Sequence, residues 1–213
     1  MNRHRRKESF QRLLPAPTLL KCSINLEKLK KYLTQFGPLP PGDWELFTEK
    51  LRQRTFKKKQ LVSAAGNVEN YISFVESGII RFYVEDGEKD ISFEIAFENS
   101  FATAYDSFIT RTPALYAAEA LTDTVLWSVT WNDLQELYQT TSTGNKIGRL
   151  AAEELYIKKN KRQLSLLKDS AEQRYKTLLA DYPHLIQHIP LKYLASYIGI
   201  TPQALSRIRR RIS

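Results

Sequence analysis

Near the end of the chain, Gln203, Ser206 and Arg207 are spaced so that a helix would present them on one outward face. A glutamine can hydrogen-bond an adenine edge through two atoms, and an arginine can do the same with guanine. Arg209, Arg210 and Arg211 follow directly and suit phosphate contacts better than base contacts. Thr201 and Ala204 sit at the start of the same helix. The candidate DNA-contacting set is therefore Thr201, Gln203, Ala204, Ser206, Arg207, Arg209, Arg210 and Arg211.

Such residues read DNA only if something holds their helix in place. Ala195, Gly199, Leu205 and Ile208 have the spacing of a helix-turn-helix. The small Ala195 lets two helices approach, and Gly199 can take the positive φ that closes the first helix. Leu205 and Ile208 point back toward Leu194, Ile198 and Ile200. Thr201 can N-cap the second helix, with Pro202 at its first position, where the missing N–H costs nothing. The plainer reading of the segment is an αα-hairpin with a solvated basic end.

The whole chain has 213 residues, a net charge of +9 and 42% hydrophobic residues, an ordinary composition for one large domain or two small ones. The charge is unevenly placed: +7 over residues 1–31, −7 over 32–144 and +9 over 145–213. A basic C-terminal part suits a polyanion and an acidic middle does not, so the two should have different tasks. The single cysteine, Cys22, excludes an internal disulfide, a zinc site built from several cysteines and a four-cysteine iron–sulfur cluster. No apolar run approaches a membrane span, and the basic N-terminus lacks an apolar signal core, so a cytoplasmic location is expected.

Residues 1–24 read as a basic flexible tail. The pattern is short-helical from Leu26 to Leu51, with Asp43 placed to N-cap a helix carrying Trp44, Phe47 and Leu51. It becomes strand-like from Thr55 to Val129. Residues 71–98 hold several strands with a hairpin at Asp86-Gly87, and 114–121 and 124–130 add two more. Short strands at this spacing suggest a roll, barrel or sandwich. After Trp131 the chain turns helical. A long helix is predicted from Thr143–Asn145 to about Lys168, with a partial seam of Ile147, Leu150, Ile157 and Leu164 that fits a dimer helix. Ser170 and Gln173 form a capping box for the next helix, which should end at Tyr182, before Pro183.

Roll, long helix and C-terminal helix-turn-helix occur in this order in the Crp/Fnr family of bacterial transcription regulators, which the chain resembles over residues 26–212. The phrases AEQRYKTLLADYP and ASYIGITPQALSRIRR resemble the form common in the Bacteroidetes group; ESGIIRFYVEDGE and EALTDTVLWSV carry the likeness in the roll. The resemblance implies an α+β fold with a cyclic-nucleotide-binding-domain-like β-roll, a long dimerisation helix and a winged-helix-like C-terminal domain. The corresponding divisions are 25–142, 143–168 and 169–213. Little chain follows the reading helix, so a wing beyond it should be short or absent. The implied function is regulation of transcription by a cytoplasmic homodimer that binds double-stranded DNA at a palindromic operator. Half-sites would lie about 34 Å apart, and RNA polymerase is a further candidate partner. No enzyme activity and no membrane association are expected.

The family's cyclic-nucleotide contacts do not carry over. Ala104 stands where the family places a ribose-binding Glu, and Ala114 and Leu115 stand where it places Arg and Ser or Thr for the phosphate. A buried phosphate without a cation or an oriented donor is poorly solvated, so cyclic AMP is disfavoured as effector. Arg111-Thr112 would replace the missing pair only if the loop were shifted by three residues. His4, His184 and His188 all lie outside the roll, so neither haem, a cupin-type metal site nor any other metal is expected. An uncharged or aromatic effector could be lined by Tyr83, Phe93, Tyr105, Ser107, Tyr116 and Glu119; the competing expectation is a roll filled by its own side chains. The alternative to a regulator is an interaction or ligand-binding roll with a degenerate DNA-binding domain.

Overall fold

The computed structural model describes residues 26–212 apart from Glu88 and Leu185. The expected tail, Cys22 and His4 lie outside these residues. Two short helices, α1 (Glu27–Thr34) and α2 (Pro41–Lys50), lead into eight strands. These are β1 (Arg52–Phe56), β2 (Leu61–Ser63), β3 (Tyr71–Ser77), β4 (Ile80–Asp86), β5 (Lys89–Ala96), β6 (Phe101–Ala102), β7 (Ala117–Ala120) and β8 (Thr124–Thr130). Helix α3 (Tyr105–Thr110) interrupts them between β6 and β7. Then come α4 (Trp131–Thr140), α5 (Gly144–Lys168), α6 (Ala171–Asp181), a 3₁₀ turn at Ile186–His188, α7 (Leu191–Ile198) and α8 (Pro202–Ile212).

The strands form two four-stranded antiparallel sheets, ordered β1-β8-β3-β6 and β2-β7-β4-β5. Every strand has one face toward the other sheet, so alternate residues fill the space between them. Phe56, Val75, Ile80, Phe82, Ala96, Ala102, Ala118, Ala120 and Leu126 are buried there, with Val62, Phe93 and Tyr116 packed against them. Gly78, between β3 and β4, has φ +102°, and a Cβ there would stand 2.4 Å from Thr124 Oγ1. Only glycine fits that approach. Among the described residues no strand follows Thr130.

Helix α1 covers the outside of the first sheet, where Leu29, Leu33, Phe74, Trp127 and Ile147 form a second core. Helix α2 starts at Pro41, three residues earlier than expected, because proline is favoured at a first helical position. Asp43 therefore does not cap α2, and Leu51 lies just past its end. The Asp43 carboxylate crosses to α5, accepting from the Thr143 amide at 2.9 Å and hydroxyl at 2.7 Å and from the Ser142 amide at 3.2 Å. These hydrogen bonds, led by the one from the Thr143 side chain, hold its pKa below the ordinary value. An anion at this end also complements the α5 dipole. Near the start of α5, a Cβ on Gly148 would come within 2.5 Å of the Tyr138 hydroxyl oxygen, so α4 and α5 touch through a bare backbone.

The end of α5 and the start of α6 follow the sequence closely. Ser170 Oγ accepts from the Gln173 amide at 3.2 Å, and Gln173 Oε1 accepts from the Ser170 amide at 2.8 Å. Helix α6 ends at Asp181. A third core joins the last helices to the roll: Ile79, Ile95, Phe97 and Leu121 pack with Leu178, Ile186, Leu194, Ala195, Ile198, Leu205 and Ile208.

Candidate nucleic-acid interface

Helices α7 and α8 pack through side chains of matched size. Ala195 and Leu205 are fully buried, with Leu194, Ile198 and Ile208 around them. Gly199 ends α7 with φ +83°, and its amide donates to Ala195 O and Ser196 O at 3.0 Å. Thr201 Oγ1 accepts from the Ala204 amide at 3.2 Å, which satisfies one of the free donors at the start of α8.

With Leu205 and Ile208 turned in, the opposite face of α8 is bare. Gln203, Arg207 and Arg210 are exposed, Ser206 is half-buried beside them, and these four lie at i, i+3, i+4 and i+7. Thr201 and Arg209 are exposed and Ala204 is half-buried. Arg211 is held against α6 by a charge-assisted hydrogen bond to Glu172.

The effector-pocket residues do not form one site. Phe93 and Tyr116 meet in the roll interior, ring centroids 4.9 Å apart, with Phe82 at 6.2 Å from Tyr116. The Tyr116 hydroxyl donates to Asp106, and burial, then this carboxylate, pushes its pKa far up. Ser107 Oγ is already used, accepting from the Glu69 amide at 2.9 Å and donating to Thr112 O. Tyr105 and Phe93 both line a crevice between α5 and the roll, which Ser107, Tyr116, Tyr83 and Glu119 do not line. Tyr83 and Glu119 need correction: both face outward. The strand period of two explains this, since Tyr83 adjoins the inward Phe82 and Glu119 lies between the inward Ala118 and Ala120.

The three positions of the missing nucleotide contacts are equally informative. Ala104 and Ala114 are buried, and Leu115 is 82% exposed. Arg111 spends its guanidinium on nearby acceptors. It sits at φ +58° and donates to Glu69 O at 2.6 Å, to Phe108 O at 3.1 Å and to Asn70 Oδ1 at 2.6 Å. One gap inside the roll, beside Arg54, Ser63 and Phe82, is about 10 Å³. One water needs about 10–15 Å³ on a comparable measure, and ligand pockets occupy about 300–1,000 Å³.

The predicted dimer seam also divides. Ile147 is a correction: it is buried in its own domain against Leu29, Leu33, Phe74 and Trp127. That part of α5 lies over the sheet, so apolar periodicity there reports the local core. Leu150 is half-buried, while Ile157 and Leu164 are exposed by 51% and 48%. From the half-buried Leu150 an exposed row runs through Glu153, Ile157, Asn160, Leu164 and Leu167, with Tyr156 beside it. That spacing is a heptad.

Sequence reasoning overlooked three arginines that hold α7. Arg81 from β4, Arg162 from α5 and Arg174 from α6 all reach this helix. Arg81 had a visible signal, a lone cation inside the apolar run IIRFYV. Arg162 and Arg174 sit in polar helical stretches and had none. Among the described residues no group of three or more His, Cys, Asp or Glu side chains could hold a metal ion, and no helix is long and apolar enough to cross a membrane.

Residues 53–141 match the family model of the cyclic nucleotide-binding domain. No curated protein sequence matches the chain. Among solved structures, FixK2 from Bradyrhizobium japonicum aligns with a TM-score of 0.64 at 17% identity, over 76% of this chain and 84% of that one. A transcriptional regulator of the Crp/Fnr family from Eubacterium rectale aligns at 0.61 and 17%, over 84% and 87%. The c-di-GMP-responsive global regulator CLP from Xanthomonas campestris aligns at 0.60 and 17%, over 81% and 91%. The roll thus matches a cyclic nucleotide-binding domain, and the described residues have the Crp/Fnr fold.

Proposed function

We propose that this chain is a DNA-binding transcription regulator of the Crp/Fnr type that does not use cyclic AMP as its effector. The observation that carries the reading is the two-sided character of α8. Its apolar side is locked into a core, and its other side presents Gln203, Ser206, Arg207 and Arg210 to solvent. These residue types hydrogen-bond base edges and phosphates. The protein acts in the cytoplasm as a homodimer through the exposed heptad row of α5, so that two α8 helices meet a palindromic operator. RNA polymerase is its partner at the promoter. The protein catalyses no reaction.

The roll is a sensor domain in descent and a filled scaffold in chemistry. Phe82, Phe93 and Tyr116 occupy its interior, and no cation stands at positions 114 and 115 to meet a phosphate. It holds no iron–sulfur cluster and no haem. An effector, if one acts, enters the crevice of about 1070 Å³ between α5 and the roll, whose lining is mainly apolar.

The test is selection of duplexes from a random pool, with and without cyclic AMP. Recovery of the same palindromic motif in both supports the reading. A motif found only with cyclic AMP overturns the account of the roll. No enrichment in either overturns the account of α8 and favours a protein-interaction role.

A further inference from the structure

We propose that Arg81 and Arg162 are positioning residues for DNA reading, clamping α7 to the roll so that the reading helix is held at one place relative to the dimer axis. The inference rests on the function proposed above. Helix α7 packs on β5 and carries α8 on its other side. Anything that fixes α7 therefore fixes α8.

The clamp grips both ends of α7. At its start, the Arg81 guanidinium lies between two rings, 3.9 Å from the Tyr83 centroid and 3.8 Å from that of Tyr193 on α7. Its side chain is 1% exposed. It donates to Asp90 Oδ2 at 2.8 Å, to Ser92 Oγ at 3.3 Å and to Glu119 Oε2 at 3.5 Å. Burial opposes the charge, but Asp90 and Glu119 outweigh it and the pKa is raised. All three polar partners belong to the roll, so the charge is balanced without α7. Tyr193 closes over this guanidinium and helps keep it from water, and a desolvated cation makes the stronger cation–π contact. Beside it, the Ser92 amide donates to Ser196 Oγ of α7 at 2.9 Å.

At the other end, Arg162 bridges two domains with one guanidinium. Its Nε donates to Phe93 O of β5 at 3.3 Å, and its Nη2 donates to Tyr197 O of α7. It also stacks 3.6 Å from the Tyr197 ring centroid. Arg174 Nε donates to the next carbonyl, Ile198 O, at 2.9 Å. Two cations thus sit on the last carbonyls of α7, the negative end of its dipole. Only Asp169 and Ser170 separate α5 from α6, a joint about which the C-terminal unit would turn if α7 were released.

Two measurements test this on the full chain. The first is the spin-label distance between Lys58→Cys on the roll and Gln187→Cys beside α7, in a Cys22→Ser background diluted with unlabelled chain. A narrow distribution is expected, widening at least twofold with Tyr193→Ala or Arg162→Met and staying narrow with Tyr193→Phe. The second is selection of paired half-sites with varied spacing. The unaltered protein should accept one spacing, and the two clamp variants should accept neighbours one or two base pairs away while each half-site sequence is unchanged. Narrow distances in both variants, or unaltered spacing despite widened distances, overturns the clamp. If the unaltered protein selects no DNA at all, the proposed function fails, and the distance measurement alone still decides whether α7 is clamped.

Discussion

The roll and the C-terminal helical unit solve opposite problems with similar packing. In the roll, the rings of Phe82, Phe93 and Tyr116 turn inward and pack against one another. In the helical unit, Ala195 and Leu205 interlock so fully that the polar side of α8 is spared for another partner. One region turns its rings toward its own interior, and the other, a helix pair of minimal size, keeps its outer face open. Kinship to a ligand-binding fold therefore says little about ligand binding, which resides in particular side chains.

The comparison breaks first in the roll. Phe82→Ala should cost about 3–5 kcal/mol by removing a buried ring from a filled interior, read from denaturant unfolding. A cost below that range would mean the interior can collapse or is already loosely filled. Next, Ala195→Leu should destabilise by about 1–3 kcal/mol, because the extra methylenes must wedge α7 from α8. Unchanged thermal unfolding together with unchanged DNA binding contradicts the packing described. Arg207→Ala should lower affinity by about 1–3 kcal/mol at the selected operator and relax preference at one base position. Equal loss on random DNA would assign Arg207 to phosphates.

Smaller effects separate the two regions further. Asp43→Ala should cost about 1 kcal/mol, the size of a lost helix cap. Because hydrogen bonds hold the folded pKa of Asp43 below its ordinary value, this contribution is present above that ordinary value and is lost as pH falls through the folded pKa. The difference between the unaltered chain and Asp43→Ala should therefore shrink on acidification; a difference that persists at low pH refutes the cap. Last, cyclic AMP should leave the melting temperature unmoved. Binding at a hundredfold excess over Kd would add about 2.7 kcal/mol, which calorimetry would detect.

Local signals were the legible ones. Residues 124–130 form a strand, Ser170 and Gln173 a capping box, and Gly199 a left-handed helix end, because each is decided by neighbours in sequence. The outward face of α8 followed from helical spacing alone. Facing in the roll was harder. The sequence offers Tyr83 and Glu119 as pocket-lining residues, since aromatic and acidic residues in strands do not announce their side when the neighbouring positions are also apolar. Ile147 shows the same limit on a helix: a stripe continuous in sequence serves the local core at one end and is exposed at the other. The grip on α7 depends on residues more than 90 positions apart for Arg81 and Ser92, so no window of sequence contains it.

Gly148 has a practical consequence for anyone wishing to harden this protein against heat. Replacing a mid-helix glycine by alanine is a standard stabilising change, worth about 0.5–1 kcal/mol from chain entropy and propensity. Here the added methyl would overlap the Tyr138 ring, 2.5 Å from its hydroxyl oxygen. Alanine is accommodated when Tyr138 swings aside or is shortened in the same step, so the two positions are best redesigned as a pair.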